Sequence, residues 1–214
     1  MYSVFTAPDL LPDLYDAGTA GVIEHGGRLE AFFEDRSAAA LFGEPQLVEE
    51  MDWVQHTRDA WPPLLVGERF FVVAPWRAEP TPPGRLRLEI NPGMQCDTGQ
   101  HPCTRLCLEA MERAVRPGDA VLDVGSGSGI LSLAAKLLGA RRVVACDIDP
   151  DAARVAPFFI GSADAVRTGA FDVVVANINE DVLGPMRADL ERVAPRRILS
   201  GFQDEEGDWT CLVC

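Results

Sequence analysis

The segment Asp123–Gly129 combines an acidic residue with three glycines at alternate positions, Gly125, Gly127 and Gly129. An apolar run precedes it, and an apolar helical pattern follows over Ile130–Leu138. Glycine permits a positive φ and a close approach of backbone to a ligand, and a helix N-terminus leaves amide donors available. The segment therefore predicts a strand, a tight turn and a helix that together hold a small polar ligand.

The spacing of the glycines narrows the choice of ligand. A dinucleotide fingerprint needs G-x-G-x-x-G, but here Ile130 occupies the place of the third glycine, which argues against a pyrophosphate seat. About twenty residues later Asp147 closes a second apolar run, where a carboxylate can accept hydrogen bonds from both hydroxyls of a ribose. The pattern is similar to the first motif of S-adenosylmethionine-dependent methyltransferases. Without Asp147, the glycines could also form a tight turn that has a structural role and binds no ligand.

Asn177 gives a third polar side chain at the end of an apolar run, Phe171–Ala176. The central apolar runs alternate with helical patterns, which predicts a mostly parallel sheet covered on both faces. Ligands of such sheets lie beyond the carboxyl ends of the strands. We therefore expect Gly125, Asp147 and Asn177 to meet at one edge of the sheet.

A polar loop between Asn91 and Thr104 carries two further candidates. Thr98 offers both a donor and an acceptor. His101 is a candidate ligand contact, general base or helix-start residue, and the pattern leaves these roles open. The one lysine of the chain, Lys136, lies in the helix after the glycines and is not expected to be catalytic.

The elements around these residues predict two kinds of structure. The first part contains a strand at residues 2–6, a helix over 8–17, a hairpin of strands 21–25 and 28–33, a helix near Ser37 and a further helix over 48–60. Strands follow at 70–74 and 85–90. The later part alternates a helix from Thr104, strand 120–124, helix 130–138, strand 142–146, a short helix 151–156, strands 158–160 and 171–176, helix 182–193, and strands 197–200 and 209–213. We predict a small α+β domain over 1–60, linking strands over 61–90 and a Rossmann-like domain over 91–214.

Composition limits the classes of function. The chain has 214 residues and a net charge of −14, with acidic residues in excess in both halves, which argues against a protein that binds a nucleic-acid backbone. The charge suits a basic partner or simply solubility. No apolar run is long enough for a bilayer and the N-terminus lacks a signal-peptide pattern, so we expect a cytoplasmic protein without a membrane partner. The six cysteines are expected to be buried or free thiols and not metal ligands.

The order of several short motifs resembles one family. These motifs are Asp52-Trp53-Val54, Ala74-Pro75-Trp76, Asn91-Pro92-Gly93-Met94, Thr98-Gly99-x-His101-Pro102, the glycine segment, Asp147-Ile148-Asp149-Pro150, Ala176-Asn177-Ile178 and Ser200-Gly201. Together they are similar to the PrmA-type methyltransferases, which trimethylate amino groups of a large-subunit ribosomal protein. The Thr98–Pro102 segment is the most specific of them.

The resemblance implies a Rossmann-like methyltransferase domain that binds S-adenosylmethionine, preceded by a small domain that recruits a basic ribosomal protein. It assigns cofactor binding to Thr98, Gly125, Asp147 and Asn177. Gly127, in the same glycine segment, is a further cofactor-binding candidate. Asn177, which can orient an amine, and His101 are the catalytic candidates.

Two features depart from the family pattern. Cys96-Asp97 stands where the family has Phe-Gly, and the segments after Asp149 and after Gly201 are short, so we expect a sheet shortened at its C-terminal end. These departures leave open two alternatives: a member that binds the cofactor or a protein partner without turnover, and a methyltransferase that acts on a small molecule.

Overall fold

The computed structural model describes residues 1–48, 61–91 and 99–214. Contacts divide the chain into two compact units, Met1–Ala60 and Trp61–Cys214. Among the helices of the described residues, none has the length and apolar character that a membrane span needs. The helix predicted over 48–60 lies almost wholly outside the described residues.

The first unit is a small antiparallel sheet with helices. The strands are β1 (Tyr2–Thr6), β2 (Gly21–His25), β3 (Arg28–Phe33) and β4 (Gln46–Leu47), in the spatial order β2-β3-β1-β4. The helices are α1 (Leu11–Asp16), which follows a 3₁₀ turn at Pro8–Leu10, and α2 (Arg36–Ala39). The predicted hairpin is confirmed, while β4 was not predicted.

Local chemistry explains the hairpin and the short helix of this unit. Gly26 and Gly27 connect β2 to β3 with φ values of 55° and 86°, the left-handed pair that a tight two-residue turn requires. The Asp35 carboxylate caps α2 by accepting the Ser37 amide at 2.9 Å. The unit has its own core, which contains Val4, Leu14, Leu29, Ala31, Phe33 and Ala39.

The second unit contains two sheets. The smaller one has the order β5-β6-β7 and consists of β5 (Leu64–Val66), β6 (Phe70–Val73) and β7 (Leu86–Glu89). The larger has the order β10-β9-β8-β11-β12-β13 and consists of β8 (Ala120–Val124), β9 (Arg142–Asp147), β10 (Phe158–Ile160), β11 (Val173–Asn177), β12 (Arg196–Gln203) and β13 (Trp209–Val213). Its strands are parallel except β13, which pairs antiparallel with β12. The mostly parallel sheet is thus confirmed.

Three helices of the second unit pack on the larger sheet: α3 (Pro102–Ala114), α4 (Ile130–Leu137) and α5 (Glu180–Val193). Apart from Asp123, the residues of β8 are all apolar, and their alternate positions show why. Val121 belongs to a core with residues of α3 and α4, whereas Leu122 and Val124 belong to a second core with residues of α5. Both faces of the strand are therefore buried, as in other doubly covered parallel sheets.

The prediction of a helix over 151–156 is wrong. The structure has turns there, because the Ala153 amide donates to the Gly127 carbonyl at 2.8 Å instead of to a helical partner. The Asp151 amide donates to the Asp149 carboxylate at 2.9 Å, which forms an Asx turn, and Pro157 follows. The segment therefore packs against the glycine turn.

Helix α3 begins at Pro102, two residues before the predicted start. Proline lacks a backbone donor and has a suitable φ, so it is favourable in the first turn of a helix. His101 precedes it in an extended conformation as the N-cap.

Candidate functional site

The glycine turn between β8 and α4 has the left-handed geometry that its sequence predicts. Gly125, Gly127 and Gly129 have φ values of 67°, 47° and 78°. The amides of Gly125 and Ser126 both donate to the Cys146 carbonyl, at 2.9 and 3.1 Å, which ties the turn to β9. A side chain at any of the three glycines would be strained.

Close contacts add a second reason for glycine at two of these positions. A Cβ atom at Gly125 would lie 2.5 Å from Cγ2 of Ile178, and one at Gly129 would lie 2.4 Å from Cγ2 of Val155. A Cβ atom at Gly127 would meet no atom within 4 Å. The turn is therefore packed on both sides and open at its middle.

Asp147, the last residue of β9, is joined to the same turn. Its Oδ2 atom accepts the Gly127 amide at 2.9 Å, and its Oδ1 atom accepts the Asp149 amide at 3.0 Å. These bonds fix the carboxylate, and each carboxylate oxygen can accept a second hydrogen bond. The geometry therefore leaves Asp147 able to bind a hydroxyl pair while it organises the turn.

Asn177, the last residue of β11, is held by α3. Its Nδ2 atom donates to Oγ1 of the buried Thr104 at 3.2 Å, across 73 residues of sequence. This bond orients the Asn177 amide. Thr104 was not predicted as a site residue, because a threonine in a helix gives no signal until its partner strand is known.

His101 caps α3. Its Nδ1 atom accepts the Cys103 amide at 3.3 Å, so the proton of the neutral ring resides on Nε2, which is then a donor. The ring also makes an edge contact with the Trp209 indole, with centroids 4.7 Å apart and planes at 71°. Of the roles predicted for His101, this geometry supports the helix-start role, and its catalytic role stays a prediction.

Asp123 is a buried carboxylate in β8, two residues before Gly125. Its Oδ2 atom accepts a hydrogen bond from Oγ of Ser132 in α4 at 2.7 Å, which joins the strand to the helix across the glycines. Burial, with the Asp123 charge nearby, raises the pKa of Cys146 to about 12. Cys146 is therefore a neutral thiol at neutral pH, and its backbone carbonyl is the group that the turn uses.

Two cavities meet at this edge of the sheet. One, of about 260 Å³, is lined by Gly125 and Asp147 and by the apolar side chains of Val124, Ile148, Ile178, Val182 and Met186. The other, of about 320 Å³, is lined by His101, Cys103, Asn177, Gly201 and Trp209. Both are also lined by Ile178 and Asn179, so a ligand of two parts can lie across this shared wall.

Comparison with known proteins identifies the family. The profile described as "Ribosomal protein L11 methyltransferase (PrmA)" matches residues 32–208. The chain belongs to this PrmA family. It is 44% identical over 178 residues to the ribosomal protein L11 methyltransferase of Burkholderia multivorans, covering 78% of this chain and 59% of that protein. It is also 44% identical over 173 residues to the Paraburkholderia xenovorans protein of that name, covering 75% of this chain and 57% of that protein.

A solved structure supports the PrmA assignment. The ribosomal protein L11 methylase of Lactobacillus delbrueckii subsp. bulgaricus matches with a TM-score of 0.56 and 28% identity, covering 66% of this chain and 80% of that chain. The present chain spans just under six tenths of the length of the curated PrmA relatives that it matches.

Of the site residues predicted for this PrmA member, the structure brings Gly125 and Asp147 to one cavity and His101 and Asn177 to the adjoining one. Gly127 lies in the same turn and bonds to Asp147. Thr98 lies outside the described residues, as do Cys96 and Asp97. Sequence reasoning missed the walls of both cavities, which are Ile178, Asn179, Val182, Met186 and Trp209. Residues that lie next to a motif, without belonging to it, give no signal before the chain is folded.

Proposed function

We propose that this chain binds S-adenosylmethionine at the carboxyl edge of the larger sheet and transfers its methyl group to amino groups of a ribosomal protein. The observation that carries the proposal is the pair of adjoining cavities that share Ile178 and Asn179. One has the chemistry of an adenosine site, and the other offers polar groups suited to an amine. Membership of the PrmA family supports the same reaction.

The residues of the smaller cavity fit the adenosyl part of the cofactor. Asp147 supplies a carboxylate for the ribose hydroxyls, as acidic residues at this position of a sheet do for other ribose ligands. Ile148 and Val182 are 78% and 52% exposed, and such apolar side chains beside a cavity are suited to cover the face of a purine. Within the described chain the buried Oγ atom of Ser126, in the glycine turn, has no hydrogen-bond partner, which suits a turn built to meet a polar ligand.

The cofactor supplies a methyl group that is already activated by a sulfonium, so the task of the chain is mainly to position the acceptor. Asn177 lines the second cavity and can accept a hydrogen bond from an amine through its carbonyl oxygen, while Thr104 orients its amide. An acceptor lysine must also lose its proton, which costs about 4.6 kcal/mol at pH 7 from its ordinary pKa. The apolar Ile178 and Trp209 lower this cost, because burial disfavours the charged amine.

The substrate part of the proposal is ribosomal protein L11, the protein named in the descriptions of the relatives. We propose that residues 1–60 recruit it, residues 61–90 link the domains and residues 91–214 carry the transfer. Residues 1–60 contain twelve acidic side chains and three arginines, a charge that attracts a basic protein. Because ribosomal proteins are made in the cytoplasm, this function implies a cytoplasmic enzyme.

Calorimetry with S-adenosylmethionine tests the binding step. We expect Asp147→Asn to raise the dissociation constant by about tenfold or more, since a hydrogen bond to a charged group contributes about 1.5–3 kcal/mol. Asp149→Asn is the matched control, because Asp149 is two residues away and is not among the residues that line the cavity. Equal affinities of the two variants for S-adenosylmethionine would refute the assignment of Asp147 to the ribose.

Transfer of labelled methyl groups to purified L11 tests the second step. We expect incorporation by the unaltered chain and a reduced kcat for Asn177→Ala. Cofactor binding without incorporation into L11 would reject the proposed substrate and favour either a binding protein without turnover or a methyltransferase for a small molecule. Incorporation into free lysine or another small amine would then indicate a small-molecule methyltransferase, and its absence would indicate a binding protein without turnover.

A further inference from the structure

Trp209, the first residue of β13, is an aromatic side chain in the wall of the second cavity. Alternate residues of a strand lie on one face, so Trp209 shares a face with Cys211, which packs against the core that contains residues of α3. The Trp209 indole makes an edge contact with the ring of His101, directly before α3, with the centroids 4.7 Å apart. Trp209 is 38% exposed, so part of the indole is available to a ligand in the cavity.

A bulge in β12 sets this position of Trp209. The pairing of β12 with β13 shifts by one residue between Ser200 and Phe202, so Gly201 is the extra residue. Trp209 consequently pairs with Gln203, whereas a regular ladder would place it opposite Phe202. Gly201 has a φ of 104° and lines the same cavity as Trp209. Bulges redirect side chains and are frequent beside active sites, and this one brings the indole to the cavity.

The cavity contains two groups that can hold an amine in different ways. None of the described residues that line it is acidic, and Asn177 supplies an amide oxygen. An amide oxygen orients an amine only while the nitrogen still carries a hydrogen to donate. The face of an indole attracts a cation electrostatically and needs no such hydrogen. Asn177 and Trp209 therefore suit amines that carry different numbers of N–H groups.

Successive methylation removes the hydrogens that Asn177 can use. In each transfer the nitrogen lone pair forms a bond to the methyl carbon, the bond from sulfur to that carbon breaks, and its electron pair stays on the sulfur. The ammonium product loses a proton to water before the next transfer. The neutral acceptor therefore has two N–H groups before the first transfer, one before the second and none before the third. The third transfer gives a quaternary ammonium, which has no proton to lose and keeps its charge.

We propose that Trp209 holds the acceptor for the later transfers and so sets the number of methyl groups that one amine receives. The inference rests on the proposed function, in which Asn177 orients the amine. The indole contacts the N-methyl groups and stabilises the charge that forms on the nitrogen. A lysine ammonium is strongly hydrated, so burial still favours its neutral form before the first transfer. A methylated ammonium has lost that hydration and keeps its attraction to the indole.

A time course of L11 methylation by the full chain tests the proposal, with mass spectrometry of proteolytic peptides giving the rate of each transfer at one lysine. We expect Trp209→Leu to lower the ratio of the third rate to the first by about three- to tenfold. Trp209→Phe keeps an aromatic face and should restore most of this ratio. Both variants keep an apolar side chain in β13, so loss of the fold does not explain a difference between them.

Asn177→Ala is the opposite perturbation. It should raise the same ratio, because Asn177 acts on the acceptors that still carry an N–H group. An unchanged ratio for Trp209→Leu, or equal ratios for Trp209→Leu and Trp209→Phe, would overturn the role of the indole.

Binding of a product mimic separates this inference from the proposed function. The probe is Nα-acetyl-Nε-trimethyllysine methylamide, titrated by NMR into the full chain with S-adenosylhomocysteine present. We expect Trp209→Leu to weaken its binding by about three- to tenfold and Trp209→Phe to weaken it less. Absence of methyl transfer to L11 by the unaltered chain would reject the proposed function alone, since the probe still reports on Trp209. Absence of probe binding to the unaltered chain, or equal affinities of the two variants, would overturn the inference.

Discussion

Replacing Gly125 with alanine should lower the free energy of unfolding by about 2–4 kcal/mol. The residue has a φ of 67°, and the left-handed region costs a non-glycine residue about 1–2 kcal/mol. The new Cβ atom would lie 2.5 Å from Cγ2 of Ile178, whereas carbon atoms pack at about 3.5–4.0 Å. Overpacking of this kind costs about 1–3 kcal/mol. The lower chain entropy of alanine in the unfolded state offsets about 0.4–1 kcal/mol.

Gly127→Ala is the matched control. Its φ of 47° carries the same kind of backbone strain, but a Cβ atom there meets nothing within 4 Å. Denaturant unfolding followed by tryptophan fluorescence should therefore show a loss of about 1 kcal/mol, well below that of Gly125→Ala.

A double-mutant cycle isolates the contact. Ile178→Ala removes the Cγ2 atom, so in that background Gly125→Ala should lose about 1–3 kcal/mol less than it does alone. Calorimetry on the same proteins should show weaker S-adenosylmethionine binding for Gly125→Ala, because Gly125 and Ile178 both line the adenosine cavity. Equal unfolding free energies for Gly125→Ala and Gly127→Ala, or a coupling of zero with Ile178, would refute the steric argument.

Substitutions at three further positions have defined outcomes. Gly201→Ala should lower the free energy of unfolding by more than about 3 kcal/mol, because its Cβ atom would lie 2.3 Å from the backbone oxygen of Ile178, which cannot rotate away. Burial raises the pKa of Asp119, but the hydrogen bond from Arg196 at 2.7 Å outweighs it and holds that pKa below its usual value. The Asp119–Arg196 pair therefore stabilises the fold at pH values above the unfolded pKa of about 3.9. This stability is lost as the pH falls through the folded pKa. The stability advantage over Asp119→Asn should thus shrink between about pH 5 and about pH 2 in thermal unfolding. His101→Ala should cost about 1 kcal/mol in chemical denaturation through loss of the α3 cap, and His101→Asn should restore most of it, whereas equal losses would contradict the capping role.

Much of the fold follows from short-range patterns. The apolar runs that end at Val124, Asp147 and Asn177 predict buried parallel strands, and in such a sheet their carboxyl ends share one edge. Gly125 and Asp147 therefore come to one cavity as the spacing predicts. The helix predicted over 151–156 does not form, because a distant contact overrides the local pattern. The Ala153 amide donates to the Gly127 carbonyl, a partner that no local pattern reveals.

The sequence by itself determined the strand, turn and helix around Gly125, since glycine spacing and apolar periodicity are local properties of the chain. Only the tertiary structure decided why that glycine is required, because Ile178, directly after β11, reaches it from beside the neighbouring strand β8. It also decided that Thr104 and Asn177 act together. These two residues are far apart in the chain, and their contact depends on how α3 packs against the sheet, which no residue pattern encodes locally.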